Sequence, residues 1–375
     1  MNNIADHLKV LQKNGNLRTL RADLSHKKLI DLSSNDYLGL ANRQDLINKF
    51  INENCQDEVA MTSSASRLLS ITQQCYINLE HFLGDLYDRD VLLFNSGYHA
   101  NCGIIPALCD KNTLILCDKL VHASIIDGII LSRAKFIRFK HNDLEHLRNL
   151  IKIHHTQYHE ILVVTESVFS MDGDICDIPK LVEIKKEYPE VKLYIDEAHG
   201  FGIYGKKGLG LTEHFDLINN IDVIIGTLGK AGASVGAFAV TDADVKNYLI
   251  NSARSFIFST VFPPVNCKWS QFMIEQIVDM DNERKHLHKI SKLLNNFFAS
   301  IGYASNSTSQ IIPLIIGNSH KVLELSQHLL DIGYIALPIR TPTVPVGTER
   351  IRFSLNAGLD YETIDTLINK LKELL

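Results

Sequence analysis

Short apolar runs recur through the first two-thirds of the chain, most of them closed by glycine or polar residues. Leu92 to Phe94, Thr113 to Cys117, Phe136 to Phe139, Ile161 to Thr165, Lys192 to Ile195, Asp222 to Gly226 and Gly236 to Val240 have the length and composition of buried strands. Longer segments of mixed polarity lie between several of them, Ile178 to Glu187 among these. Such alternation predicts an α/β fold with a mostly parallel, doubly wound sheet. From about Asn282 the pattern changes to a helical stretch, then two short runs, Ile311 to Ile316 and Ile351 to Ser354. In the closing DYETIDTLINKLKELL, Ile364, Leu367, Ile368 and Leu371 follow helical spacing, with Asp360 placed to cap the helix. The expected organisation is an N-terminal segment over 1–40 packing with the small domain, a large domain over 41–275 and a C-terminal α+β domain over 276–375.

Composition narrows the function. The chain has 375 residues, 45% hydrophobic content and a net charge of −5, enough for a large core and unfavourable for nucleic acid as main partner. The seven cysteines carry no CxxC pair and read as reduced thiols. The start, MNNIADHLKV, lacks the apolar centre of a signal peptide. Apolar runs stay under about ten residues, too short to cross a bilayer. A soluble, cytoplasmic protein without a membrane partner is expected.

Candidate chemistry gathers at strand ends. Asp196 and His199 lie in YIDEAHG, directly after the run ending at Ile195; Lys230 lies in TLGKAG, after Val223 to Ile225. Open α/β sheets bind ligands at that edge. An amine, an acid and an imidazole suit pyridoxal phosphate: the lysine forms a Schiff base, the aspartate pairs with the pyridine nitrogen, and the histidine reaches the phenolic oxygen. Asn95-Ser96-Gly97-Tyr98 follows another strand and opens a helix, which offers free N–H groups to a phosphate. His122 is placed either over a cofactor ring or simply at a helix start, and the sequence leaves both open.

Three other motifs weigh less. DEAH at 196–199 also spells a helicase box, but no GxxxxGK[ST] loop precedes it. Gly200, Gly202 and Gly205 form GxGxxG, yet the glycine-broken KKGLGL follows where a dinucleotide site needs a helix, so a glycine-rich active-site turn is the better reading. His154, His155 and His159 have no carboxylate or cysteine framing them as a metal site, so no metal is expected.

SSNDYLGL (33–40), SGYHAN (96–101), VHAS (121–124), HND (141–143), TESVFSMDGD (165–174), DEAHGFGIYGKKGLG (196–210), TLGKAGASVGA (227–237) and FSTVFPP (258–264) occur in the order and spacing of the α-oxoamine synthases. The resemblance runs from about Asp31 to Ala357. It implies a fold-type-I pyridoxal-phosphate transferase, with a large, mostly parallel sheet domain and a smaller α+β domain, that condenses an amino acid with an acyl thioester and releases carbon dioxide. By resemblance, Lys230 would carry the cofactor and shuttle protons, Asp196 would pair with the pyridine nitrogen, and His199 and Ser170 would hold the phenolic oxygen. His122 would stack on the ring. The Gly97 and Tyr98 amides and the Thr227 hydroxyl would hold the phosphate, and Thr260 would reach the phosphate of the other subunit of a homodimer. Asn35 and Arg352 would hold the amino-acid carboxylate, although Arg350, two residues away along a strand, shares the face of Arg352.

Within the family, IRTPTVPVGTERIR (339–352) most resembles members acting in biotin synthesis, which take L-alanine and a pimeloyl thioester carried by coenzyme A or an acyl carrier protein. The second reading is glycine C-acetyltransferase, with the 5-aminolevulinate enzyme behind it. A rival from another class is a non-catalytic cofactor-binding scaffold on the same fold. The chain departs from the family at TSSASR (62–67), where Thr62, Ser64 and Ala65 stand in place of glycines. Left-handed backbone costs a non-glycine residue about 1–2 kcal/mol. Ser64 and Ala65 are therefore expected at ordinary angles, with the loop bearing on the acyl chain and not on the cofactor.

Overall fold

The computed structural model describes residues 3–20, 27–56, 60–71, 73–303 and 305–375. Among the described residues the strands are, in chain order, β1 (Ile30–Asp31), β2 (Asp90–Phe94), β3 (Thr113–Asp118), β4 (Lys135–Phe139), β5 (Glu160–Glu166), β6 (Val191–Asp196), β7 (Val223–Thr227), β8 (Ala237–Thr241), β9 (Ile311–Ile315), β10 (Tyr334–Ile335), β11 (Leu337–Ile339) and β12 (Arg350–Ser354). The chain divides into two compact units. One comprises Leu38–Phe169 and Ile175–Arg284; the other comprises Met1–Tyr37, Ser170–Asp174 and Lys285–Leu375.

The larger unit holds a seven-stranded sheet in the order β2-β8-β7-β6-β5-β3-β4. All pairs are parallel except those of β8, which runs antiparallel to both β2 and β7. β2 therefore points the same way as β7, and β2, β3, β5, β6 and β7 all end at one edge. Every residue of β3 and β7 is buried, which is why these strands read as unbroken apolar runs and not as alternating ones. The outermost strand β4 differs: Lys135 and Arg138 are exposed, and charge on an edge strand discourages pairing with another chain. The run predicted from Gly236 starts one residue later. Gly236 has φ +113°, outside strand geometry, and its carbonyl accepts the N–H of Leu228 across the turn.

In the smaller unit β11, β12 and β9 form an antiparallel sheet, and β1 pairs with β10 in parallel. β9 and β12 lie where the apolar runs predicted them. β1, β10 and β11 span two or three residues each, too short for periodicity to register, and β11 carries Pro338, which suits its place at the sheet edge. The last helix covers Tyr361–Leu374. Asp360 caps it by accepting the Thr363 N–H at 2.8 Å, and Ile364, Leu367 and Leu371 form its buried stripe.

One expectation fails at 62–67. Ser64 sits at φ +50°, in the left-handed region, and not at ordinary backbone angles. Local hydrogen bonds hold it there. The Ser64 N–H donates to the Thr62 hydroxyl at 3.1 Å, and the Ser63 hydroxyl donates to the Ala65 carbonyl at 3.0 Å. The Ala65 carbonyl also accepts the Val261 N–H, and Ser66 bridges to Thr260, which anchors the loop beyond the turn. Hydroxyl side chains that bond their own backbone offset part of the left-handed cost that glycine would avoid. Ala65 is not among the positive-φ residues.

Candidate active site

The shared edge of the large sheet carries the predicted chemistry. β6 ends at Asp196, and β7, its neighbour, leads through Thr227 into the turn bearing Lys230. That turn is tight: Ala233, at φ +46°, donates its N–H to the Lys230 carbonyl, and the Trp269 indole donates to the Ala233 carbonyl. A left-handed alanine persists only where its surroundings hold it. Here the turn brings Lys230 Nζ to 2.7 Å from His199 Nε2, a distance at which a proton passes between them.

Asp196 is buried, and both its oxygens are engaged. Oδ1 accepts the Ala198 N–H and Oδ2 accepts Asn101 Nδ2–H, each at 2.9 Å. The Asn101 carbonyl oxygen accepts the Tyr194 hydroxyl at 2.6 Å, and its amide also donates to the Ser124 hydroxyl at 2.9 Å. Ser124 is 2.8 Å from His122 Nδ1, which also accepts the Ser124 N–H. His122 is therefore the N-cap of helix Ala123–Ser132. With Nδ1 accepting, the neutral ring carries its proton on Nε2. Burial is the main cause lowering its pKa, with Asp196 acting against that and Lys230 with it. One chain of polar contacts thus joins Asp196 at the end of β6 to the imidazole that follows β3, two strands away.

Helix Gly97–Leu108 starts after β2. The Ser96 side chain accepts the His99 N–H, while the first-turn N–H groups of Gly97 and Tyr98 have no intrahelical acceptor. A methyl group added to Gly97 would meet nothing within 4 Å, so the space there is open. The Tyr98 hydroxyl bonds to Asp127, which pushes its pKa up to about 12. Thr227 is buried at the end of β7, with its hydroxyl between Gly236 O and Gly229 N. Thr260 is exposed, and Asn95 fixes its segment by donating to Ser259 Oγ and Thr260 O and by accepting the Phe262 N–H. An open helix start for a phosphate, a buried carboxylate for a pyridine nitrogen and a lysine amine beside an imidazole together fit pyridoxal phosphate.

The smaller unit gathers the other predicted residues. Arg352, buried on β12, donates to Asn35 Oδ1 at 3.2 Å, to the Tyr37 hydroxyl at 3.3 Å and to the Ser170 carbonyl at 2.6 Å. Burial raises the pKa of the Tyr37 phenol, and the neighbouring Arg352 charge works against that. Arg350 is engaged differently, by Asp172 at 2.6 Å and by the Met171 carbonyl. The ambiguity left open along the strand is thus between a guanidinium bound to a carboxylate and one bound to neutral groups.

Asn101, Tyr194, Ser124 and Tyr37 escaped the sequence reading as contributors, though each lies inside a quoted motif. Signals existed: Asn101 is one helical turn beyond Gly97, and Tyr194 is two residues before Asp196 along a strand and so on its face. Two of the three histidines near 154–159 make local contacts. His154 faces Gln157, and His155 lies 3.2 Å from Glu190.

The chain belongs to the aminotransferase class I and II family, whose sequence profile matches residues 27–371. It is 47% identical to the 8-amino-7-oxononanoate synthase of Haemophilus ducreyi, over 92% of this chain and 91% of that one. Among solved structures it resembles 8-amino-7-oxononanoate synthase from Francisella tularensis, with 28% identity, a TM-score of 0.77 and coverage of 92% and 98% of the two chains. It also resembles serine palmitoyltransferase from S. paucimobilis with a bound PLP–myriocin aldimine, with 26% identity, a TM-score of 0.87 and coverage of 98% and 95%.

Proposed function

We infer that the chain carries out the 8-amino-7-oxononanoate synthase reaction of biotin synthesis, a pyridoxal-phosphate-dependent condensation of L-alanine with a pimeloyl thioester that releases carbon dioxide and the thiol. The observation that carries this reading is the pairing of Lys230 Nζ, in the turn after β7, with His199 Nε2 at 2.7 Å, beyond buried Asp196 at the end of the neighbouring β6. The likeness to named synthases at 46–47% identity chooses the substrates.

When bound, pyridoxal phosphate supplies an electron sink for charge developing at the amino acid's Cα. The chain's residues do the rest. Lys230 would bind the cofactor through its amine and carry the proton at Cα, with His199 beside it. Asp196, oriented by Asn101 and the Ala198 N–H, would keep the pyridine nitrogen protonated. His122 would contact the ring, His199 and Ser170 would hold the phenolic oxygen, and the Gly97 and Tyr98 amides with Thr227 would hold the phosphate. Asn35 and Arg352 would hold the alanine carboxylate. Arg352 suits that role because its partners Asn35 and Tyr37 are neutral, which leaves its charge for an anion.

Support for a long acyl chain comes from a cavity of about 640 Å³ within the smaller unit. Its lining includes the apolar Leu323, Leu330, Leu337 and Ile339, the cationic Arg18 and Arg340, and polar groups such as Ser326 and Gln327. Arg340 feels burial first and the like charge of Arg18 second, and both lower its pKa; a carboxylate there relieves the repulsion. A lining that combines apolar and cationic side chains suits an acyl chain ending in a carboxylate better than an acetyl group.

We further propose a cytoplasmic homodimer that shares its active sites, with thioester delivery by coenzyme A or an acyl carrier protein. Met61, Leu68, Leu69 and Ile71 are exposed on one short segment, bridged at Ser66 to the exposed Thr260. Apolar side chains clustered like this favour association. No helix among the described residues is long and apolar enough to cross a membrane. A product assay with alanine and glycine against acetyl and pimeloyl thioesters tests the function. Amino ketone from alanine and the pimeloyl thioester is the expected result, and preferred use of glycine with an acetyl thioester would overturn it.

A further inference from the structure

Glu197 follows Asp196 in the DEAHG turn and has no part in the chemistry above. It is completely buried, yet both oxygens of its carboxyl are engaged. Oε2 accepts the hydroxyl of Ser167, the residue after β5, at 2.5 Å, and Oε1 accepts the Thr212 N–H at 2.8 Å. Its backbone is tied as well. The Glu197 N–H donates to the Ile225 carbonyl on β7 at 2.7 Å, and the Glu197 carbonyl accepts the N–H groups of Gly200 at 2.9 Å and Phe201 at 2.8 Å. The Ser167 N–H in turn donates to the Asp196 carbonyl at 2.9 Å. Two glycines leave room for the carboxyl: a methyl group added at Gly200 or at Gly210 would collide with it.

A buried carboxyl bonded at both oxygens acts as a clasp. Breaking either bond leaves a polar group unmatched away from water, and that cost opposes movement of the segments it joins. The segments joined here are the stretch after β5, the turn after β6 and the start of the 211–214 helix. The turn held between them carries Asp196 and His199. Its middle residue, Ala198, gives its N–H to Asp196 Oδ1, so a shift of the turn reaches that carboxylate directly. The bond from the Glu197 N–H to Ile225 ties the same turn to β7, the strand that leads to Lys230. We propose that Glu197 is a positioning residue of the cofactor site, a clasp that fixes the turn after β6 so that Asp196 and His199 keep their spacing and His199 stays within reach of Lys230. The proposal rests on the cofactor reading given above.

The test compares the full-length wild type with Glu197→Ala, Glu197→Gln and Ser167→Ala. Amide hydrogen exchange is followed on the cofactor-free proteins, and pyridoxal phosphate affinity is measured by titration. A clasp loosens only the turn it holds when it is lost, whereas a residue of general structural value loosens the whole unit. In Glu197→Ala, exchange should rise about tenfold in peptides covering 196–203 and 208–213 and stay within about twofold of wild type in those covering β3 and β4. The same variant should bind pyridoxal phosphate about tenfold more weakly. Glu197→Gln should recover most of both losses, because its amide oxygen still accepts the Thr212 N–H and its NH2 group donates to the Ser167 oxygen. Ser167→Ala opens one side of the clasp and should fall between wild type and Glu197→Ala in both measurements. Exchange that rises equally over all peptides of Glu197→Ala would overturn the proposal. So would wild-type exchange and affinity in that variant, or Glu197→Gln losing as much as Glu197→Ala. If Glu197→Ala does not fold, Ser167→Ala decides: faster exchange confined to the same peptides supports the clasp, and wild-type exchange there contradicts it. A chain that gives the expected exchange and affinities but makes no amino ketone supports the role of Glu197 and contradicts the substrate assignment instead.

Discussion

The edge bearing Asp196, His199 and Lys230 and the segment 61–71 belong to the same unit but are built on opposite terms. At the edge, Asp196, Asn101 and Ser124 are buried and are joined with His122 in one hydrogen-bonded chain. In 61–71 the Thr62 hydroxyl accepts the Ser64 N–H and the Ser63 hydroxyl donates to the Ala65 carbonyl, while Met61, Leu68, Leu69 and Ile71 are exposed. Buried polar groups must be matched, so each residue at the edge constrains the next. The segment is anchored instead at single points, by Ala65 to Val261, by Ser66 to Thr260 and by the Arg67–Glu80 ion pair, and its turn tolerates serine where the backbone prefers glycine.

If that contrast is right, substitutions at the edge act on chemistry and those in the segment act on small stability differences. The largest effect is expected for Lys230→Ala, which removes the amine proposed to bind the cofactor and to carry the Cα proton; turnover should fall by at least about 10³-fold, as measured by amino ketone formation. Asp196→Asn keeps the shape and loses the charge, so turnover should fall by about 10²–10³-fold with an unchanged folded spectrum by circular dichroism. Near-normal turnover in that variant would break the account of Asp196. Arg352→Lys should raise the alanine KM about tenfold, because an ammonium lacks the planar fork. Arg350→Ala should leave that KM within about threefold, since its guanidinium already serves Asp172. Reversal of the two steady-state results would exchange their roles. The smallest effect is Ser64→Gly. It relieves a left-handed serine but loses the Thr62–Ser64 hydroxyl contact, so a stabilisation of less than about 1 kcal/mol is expected in urea unfolding.

The same contrast explains what was legible. The inner strands of the large sheet are buried on both faces, so they stand out as apolar runs, and the residues ending them can be read with them. Lys230, Asp196 and His199 could be read because a strand must stop where they begin. The partners that orient them were harder to find. Asn101 contacts Asp196 across 95 positions of sequence, and only the path of the chain brings them together. Glu197 looked like one more residue of a motif, because the contacts of its carboxyl with Ser167 and Thr212 depend on how separate segments meet. β10 and β11 were too short to show a period. The 62–67 turn was misread because glycine's absence was taken as absence of left-handed backbone, whereas Thr62 supplies the hydrogen bond that holds Ser64 there.

The claim on which the account turns is that Lys230 is the residue bonded to the cofactor. Borohydride reduction of the cofactor-loaded protein, followed by peptide mapping, tests it directly. The account predicts one labelled peptide, containing TLGKAG with the label on Lys230; a label on any other lysine, or none, would contradict it.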